Sequence, residues 1–312
     1  MFTRRGFLKL FGGSVAALFA LTGYAVAYEP LARLRVSRYR LVPPGWPPGL
    51  NLRIVALADI HACDPWMTNE RLSSICSRAN SLEGDVIVLL GDYMSSMKLT
   101  RRRSSPAEWS TVLASLQAPL GVHAVMGNHD WWADEAAQKL GGGDTASHRA
   151  LRDIGVNVYA NQAARLDKGG QSFWIAGLED QLALISGKKR DRRLMRGLDD
   201  LEGTLAQVTD KAPVVLLAHE PDIFPRVPSR VSLTLSGHTH GGQVRFFDYA
   251  PVVPSRYGNR YAYGHIVEDD RHLLVSGGLG CSIAPIRFGS PPEIVVVDLG
   301  EGASGAGNRP SV

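Results

Sequence analysis

Cysteine is scarce in this 312-residue chain, with only Cys63, Cys76 and Cys281. An odd count without C-x-x-C spacing excludes a disulfide framework and a thiolate zinc site. Cys63 stands two residues past a histidine of interest below, so it either lines that site or is a small buried hydrophobe. A basic footprint is missing too. The formal net charge is +4, and Arg4, Arg5 and Lys9 at the extreme N-terminus supply most of it. The rest is nearly neutral, so no specific nucleic-acid partner is expected. No internal repeat is present, which excludes a solenoid. What is there, 45% hydrophobic and 21% charged residues, is the balance of an ordinary globular protein able to bury a core.

Residues 1–27 form a leader. Thr3-Arg4-Arg5-Gly6-Phe7-Leu8-Lys9 resembles the twin-arginine export signal, and an apolar stretch from Leu10 ends in Ala25-Val26-Ala27, a small-x-small pattern suited to signal peptidase. This implies export of a folded protein by the twin-arginine machinery, to the periplasm or cell envelope. An uncleaved anchor is the competing reading, since about 18 apolar residues is the lower edge for a membrane span. Arg33, Arg35, Arg38 and Arg40 follow the apolar run, so basic residues flank it on both sides and give no orientation. They could rest on anionic lipid headgroups.

Residues 28–50 are expected to be a connector, proline-rich from Leu41 to Leu50. The globular body is expected over 51–299, followed by a Gly/Ser-rich disordered tail at 300–312. Two basic knots, Arg101-Arg102-Arg103 and the run from Lys188 to Arg193, read as solvated surface.

The body alternates short apolar runs with segments of helical spacing. Runs at 52–58, 86–90, 122–126, 173–176, 214–218, 231–235, 273–276 and 294–299 have strand length and are apolar on both faces. Asn69 to Leu82 and Pro106 to Leu116 have helical spacing. Strands apolar on both faces belong to sheets covered on both sides, so the fold class is α/β.

The ends of these runs carry the chemistry. The first leads into Asp59-Ile60-His61, the second into Gly91-Asp92, and the third into Gly127-Asn128-His129-Asp130. The fourth group is His219, at the end of the run from Val214, and the fifth is Gly237-His238-Thr239-His240. Each piece alone has a plain explanation: Gly-Asn is a common turn, Asp a common cap, and a single histidine is more often core or surface. Five ligand-bearing segments, each closing an apolar run, are not explained that way. Sites in α/β sheets form beyond the carboxyl ends of strands, so these side chains converge on one crevice. Mixed imidazole and carboxylate donors suit Mn, Fe or Zn better than Ca or Mg.

The ordered set D-x-H, G-D, G-N-H-D, H and G-H-x-H resembles the calcineurin-like metallophosphoesterase superfamily. Downstream pieces, Gly241-Gly242-Gln243-Val244-Arg245-Phe246, Gly277-Gly278-Leu279-Gly280 and Ile286-Arg287-Phe288, are similar to its YkuE/YaeI-like, envelope-associated branch. The resemblance implies a four-layer sandwich of two mixed β-sheets flanked by helices. It also implies two metal ions, one held by Asp59, His61 and His240 and the other by Asn128, His219 and His238, with Asp92 bridging. His129 would contact the phosphate and protonate the leaving oxygen, and Asp130 would support the site. Gly91-Asp92-Tyr93-Met94-Ser95 lacks the Asp-Arg that protein phosphatases of the superfamily carry there, so a protein phosphatase is set aside.

The expected reaction is hydrolysis of a phosphodiester or pyrophosphate by a metal-bridging hydroxide, with His129 as general acid. The substrate is a phosphate ester. The alternative is a lipid-linked or UDP-sugar pyrophosphatase, of the kind that cleaves UDP-2,3-diacylglucosamine, working against a membrane surface. A non-catalytic metal- or phosphate-binding envelope protein would need a missing ligand, and none is missing. Tyr93, Trp131, Trp132 and Arg287 adjoin the motifs and are candidates to line the pocket.

Overall fold

The computed structural model describes residues 3–185 and 195–301. The basic run from Lys188 to Arg193, and all but the first two residues of the expected tail, lie outside the described residues.

Two six-stranded sheets form the body. The first contains β1 (Arg35–Leu41), β2 (Leu52–Leu57), β3 (Val86–Leu89), β4 (Val122–Ala124), β5 (Asn157–Val158) and β12 (Glu293–Leu299), in the order β1-β12-β2-β3-β4-β5. The second contains β6 (Gln162–Lys168), β7 (Gln171–Gly177), β8 (Val214–Leu217), β9 (Leu233–Ser236), β10 (Gly264–Glu268) and β11 (Arg271–Val275), in the order β10-β11-β9-β8-β7-β6. The two centres are parallel: β2, β3 and β4 in one sheet, β7, β8, β9 and β11 in the other. Antiparallel pairs β12–β2, β6–β7 and β10–β11 make both sheets mixed.

Strand alternation sets the layers. Ile54 and Ala56 of β2 and Val86 and Val88 of β3 pack with Ile175, Leu217, Leu235 and Leu274 of the other sheet. Val55, Leu57, Ile87 and Leu89 face the opposite way, onto Leu72, Ile75, Trp109, Leu113 and Leu151. Those come from α2 (Asn69–Asn80), α3 (Pro106–Leu113) and α4 (Ala146–Asp153). On the far side of the second sheet, Val214, Leu216 and Leu273 meet Leu201, Phe224 and Tyr261. The result is the expected four-layer α/β sandwich. Helix starts follow their caps: the Thr68 hydroxyl accepts the Arg71 amide, and Ser105 with Glu108 forms a capping box.

The N-terminal part departs from the sequence reading. The span expected to be a connector contains β1, which pairs in register with the whole of β12. In β1, Ser37, Tyr39 and Leu41 are buried while Arg38 and Arg40 are exposed. Of the four arginines expected to meet lipid, Arg38 and Arg40 are thus the outward half of a two-residue alternation on an edge strand, Arg35 turns to Glu293 at 3.0 Å, and Arg33 precedes the strand. Ahead of it, α1 (Arg4–Gly23) continues into a π-helical segment (Tyr24–Ala32). The continuous helix, Arg4–Ala32, is long and apolar enough to cross a membrane, and its apolar stretch is not buried in the protein.

Candidate metal centre

The backbone pairing outlasts the strands, and this builds the site. Past β2 and β3 the chains stay in step: the amides of Asp59, His61 and Ala62 donate to the carbonyls of Gly91, Asp92 and Tyr93 at 2.9–3.0 Å. Past β8 and β9, the Gly237 amide donates to the His219 carbonyl at 3.0 Å. Two contacts then join the sheets. The His238 amide donates to both oxygens of Asp59 at 3.0 and 3.1 Å, and His219 Nδ1 donates to the Leu90 carbonyl at 2.6 Å.

Two glycines make this approach feasible. A Cβ on Gly127 would stand 2.3 Å from Asp92 Oδ1 and 2.6 Å from the Asp92 amide. Gly278 sits at φ +69° with Asp59 pressed against it, so a side chain there would meet both strain and a clash. The backbone elsewhere in the site is bent sharply. Asp59, His61, Asp92, His238 and His240 all have φ between 49° and 67°, the left-handed region that non-glycine residues seldom adopt. Such geometry persists where the surroundings over-determine it, and it gathers at functional sites.

All eight residues expected in the site are buried there. Asp59, His61 and His240 offer donor atoms that lie within 4.8 Å of one another; so do Asp92, His219 and His238, and so do His61, Asp92 and His129. Asp92 Oδ2 is 3.5 Å from His61 Nε2 and 3.3 Å from His219 Nε2. A carbonyl can only accept, so His61 Nδ1, 3.0 Å from the Met94 carbonyl, carries a hydrogen, as does His219 Nδ1. In the neutral rings, the Nε2 atoms therefore turn lone pairs towards a carboxylate. His61 Nε2 also lies 3.1 Å from His240 Nε2.

This convergence of acceptors calls for positive charge. Burial, partly opposed by His219 and reinforced by the Asp92 charge, leaves Asp59 raised to about 7. Burial opposes charge on Asp92 as well, but His219 and His129 hold its carboxyl well below the usual range. Burial also disfavours a proton on His219, yet Asp92 lifts it well above an ordinary imidazole. By contrast, burial and neighbouring cations keep His240 well below one. Asn128 adds a separate signal: its side-chain oxygen is buried with no hydrogen-bond partner among the described residues. A buried acceptor without a donor is costly unless a cation takes its place. The donor set and this orphaned oxygen fit two divalent ions.

His129 occupies the rim. Its amide donates to Asp92 Oδ1 at 2.8 Å, and its Nε2 is 3.9 Å from Asp92 Oδ2 and 3.3 Å from Ser282 Oγ. Trp132 packs beside its ring at 5.1 Å between centroids. Of the four residues expected to line the pocket, Trp132 is the one whose ring packs on His129. Tyr93 is core, stacked on Trp109 with its hydroxyl on the Val125 carbonyl. Trp131 is buried with its indole N–H on Glu179. Arg287 is fully buried, donates to the carbonyls of Gly277, Gly280 and Ser290, and sets its Nη2 3.3 Å from His240 Nδ1, so it holds loops and a site histidine in place from beneath. Cys63 packs with Met97 and Cys281 as a buried hydrophobe.

Asp180, Glu220 and Ser282 escaped the sequence reading. Asp180 and Glu220 form a buried group with His219. Burial first, and then the Glu220 charge, hold the Asp180 carboxyl well above its usual range. Glu220 Oε1 lies 3.9 Å from His238 Nδ1. The signals were there: Asp180 follows the end of β7 as the other site residues follow theirs, and Glu220 is the neighbour of His219.

Residues 52–242 match the calcineurin-like phosphoesterase family. Along the chain, the protein is 33% identical over 308 residues to an uncharacterized metallophosphoesterase, YkuE, of Bacillus subtilis, covering 95% of this chain and 97% of that one. An uncharacterized metallophosphoesterase of Aquifex aeolicus is 29% identical, covering 85% of this chain and 92% of its own. A transmembrane protein with a metallophosphoesterase domain from Danio rerio is 27% identical, covering 91% of this chain and 61% of its own length.

Proposed function

This chain belongs to the calcineurin-like phosphoesterase family and is a metallophosphoesterase; we propose that it hydrolyses a phosphodiester or pyrophosphate with two divalent ions and His129. One observation carries the reading: His61, His129, His219 and His238 all turn ring nitrogens towards the Asp92 carboxylate or its partners, and His61 joins that group to Asp59 and His240. Asp59, His61 and His240 would hold one ion, Asn128, His219 and His238 the other, and Asp92 both. When bound, Mn, Fe or Zn would neutralise phosphoryl oxygens and lower the pKa of a water.

The protein's own groups do the rest. The carbonyls of Met94 and Leu90 fix the tautomers of His61 and His219, so their Nε2 atoms stay available as donors to metal. Asp59 is held by the His238 amide, which locks the two sheets at the spacing the site needs. His129 Nε2, 3.3 Å from Ser282 Oγ, is the group that would give a proton to a departing alkoxide. The experiment is hydrolysis of bis-p-nitrophenyl phosphate by protein supplied with Mn, against Asp92→Asn. Activity that Asp92→Asn abolishes supports the reading. Equal inertness of both proteins across Mn, Fe and Zn would refute it.

The apolar N-terminal helix favours a second, narrower reading, a lipid-linked or nucleotide-sugar pyrophosphate as substrate at a membrane. Export by the twin-arginine route fits the Arg4-Arg5 motif but separates the site from cytoplasmic UDP-sugars. A C-terminal reporter active only outside the membrane distinguishes the two locations.

A further inference from the structure

Exposed apolar side chains gather on two loops beside His129. Phe246, Phe247, Tyr249 and Val252 come from the turn after His240, and Ile283 and Ile286 from the loop after Cys281. Phe247 is 99% exposed, at φ 57°, on the tip of a turn closed by mutual hydrogen bonds between Phe246 and Tyr249. Such a position ordinarily takes Gly or Asn. A phenyl ring there packs on nothing in the fold.

The two loops and the site are one unit. The Arg245 amide donates to the Phe288 carbonyl at 2.7 Å, and the Phe288 amide to the Gln243 carbonyl at 2.9 Å. Gln243 Nε2 donates to the carbonyls of Ala284 and Ile286, and its Oε1 accepts the Ser282 amide at 2.7 Å. Ser282 is the residue against His129.

The same loops grip the end of the N-terminal helix. The Arg287 amide donates to the Ala25 carbonyl at 2.9 Å, and the fully buried Glu29 accepts the amides of Gly289 and Ser290. The Phe288 ring bridges Tyr24, at 5.9 Å, and Phe246, at 5.6 Å. Tyr24 also meets Tyr28 at 5.5 Å, and its hydroxyl accepts from Arg33 at 3.0 Å. Tyrosines and an arginine closing an apolar helix mark the headgroup level of a bilayer. Through Phe288 the exposed loops stand at that level. Cleavage after Ala27 would cut through the docked segment.

We propose that the N-terminal helix is retained as a membrane anchor and that the loops at 245–252 and 281–286 press their apolar side chains into the bilayer surface beside it. Apolar groups held at this depth enter the boundary between headgroups and acyl chains. The mouth of the site then opens onto the headgroup layer.

The test uses the full chain reconstituted in phosphatidylcholine/phosphatidylglycerol vesicles, with bimane on Phe247→Cys, Ile283→Cys or Thr209→Cys. Thr209 precedes β8, at the end of the sheet away from the site, and the native cysteines are buried. Both loop side chains are largely exposed, at 99% and 83%, so their substitution leaves the fold intact. Lipids with a nitroxide on the acyl chain are expected to quench bimane at 247 and 283 and to leave 209 bright. Quenching at 247 and 283 no greater than at 209 would overturn the docking surface. A mature chain beginning at Tyr28 would overturn the anchor. Quenching needs no turnover, so this result stands apart from the phosphoesterase reading.

Discussion

The carboxylate of Asp130 lies beneath Asp92 and accepts its backbone amide at 2.9 Å. Its two oxygens also take the amides of Tyr93, Met94 and Gly127 and the Ser147 hydroxyl. One buried side chain thus clamps the Gly91-Asp92 turn to the Gly127-Asn128-His129 turn. Asp130→Ala strands four amides, at a cost of about 3 kcal/mol or more. Asp130→Asn keeps one oxygen and should lose about half as much. Urea unfolding of the three proteins measures this, and an alanine variant within about 0.5 kcal/mol of wild type would contradict the clamp.

His129 should matter in proportion to how badly the leaving group needs a proton. With an alkyl phosphodiester, His129→Ala is expected to lower kcat by about 10²–10⁴-fold. With p-nitrophenolate as leaving group, the loss should be much smaller. The measurement is kcat against leaving-group pKa for wild type and variant. Parallel lines would remove His129 from the role of acid.

Asn128→Ala discards a buried oxygen that has no donor, so the metal-free protein should be as stable as wild type or slightly more so. Bound metal should fall from about two ions per chain towards about one. The Mn-dependent rise in melting temperature should shrink with it, because a ligand stabilises by its affinity for the native state. Metal analysis and thermal melts with and without EDTA provide the check. Unchanged metal content would show that Asn128 is not a ligand.

Away from the site, His265 on β10 and His272 on β11 face each other at 3.0 Å, with Tyr39 edge-on to His265. Burial, then repulsion from His272, lowers His265 to about 4. Its value in the unfolded chain is about 6.5. Between these values the unfolded chain binds more protons, so stability is whole above about 6.5 and falls as pH drops towards about 4. His265→Gln should flatten that part of the profile, read as urea midpoint against pH. An equally steep profile in the variant would place the effect elsewhere.

The layers of the fold were legible because each strand of the two sheet centres is apolar on both faces. The runs at 52–58, 86–90 and 214–218 became β2, β3 and β8 within a residue or so. β1 was missed because Arg35, Arg38 and Arg40 outweigh its buried Ser37, Tyr39 and Leu41 in any reading by composition. Only pairing with β12, nearly the whole chain away, makes that alternation a strand. Arg287 was misplaced for a related reason. A guanidinium next to a motif resembles a phosphate contact, and nothing local reveals that three carbonyls enclose it.

Residue order alone determined which groups end the strands, since an apolar run that stops at Asp, Asn or His puts that side chain beyond the sheet whatever the packing. Distance was decided by the tertiary structure. Asp59 meets the His238 amide and His219 meets the Leu90 carbonyl because two separate sheets are pressed face to face. Left-handed backbone at five of these positions is a local cost that no local interaction offsets; long-range packing holds it.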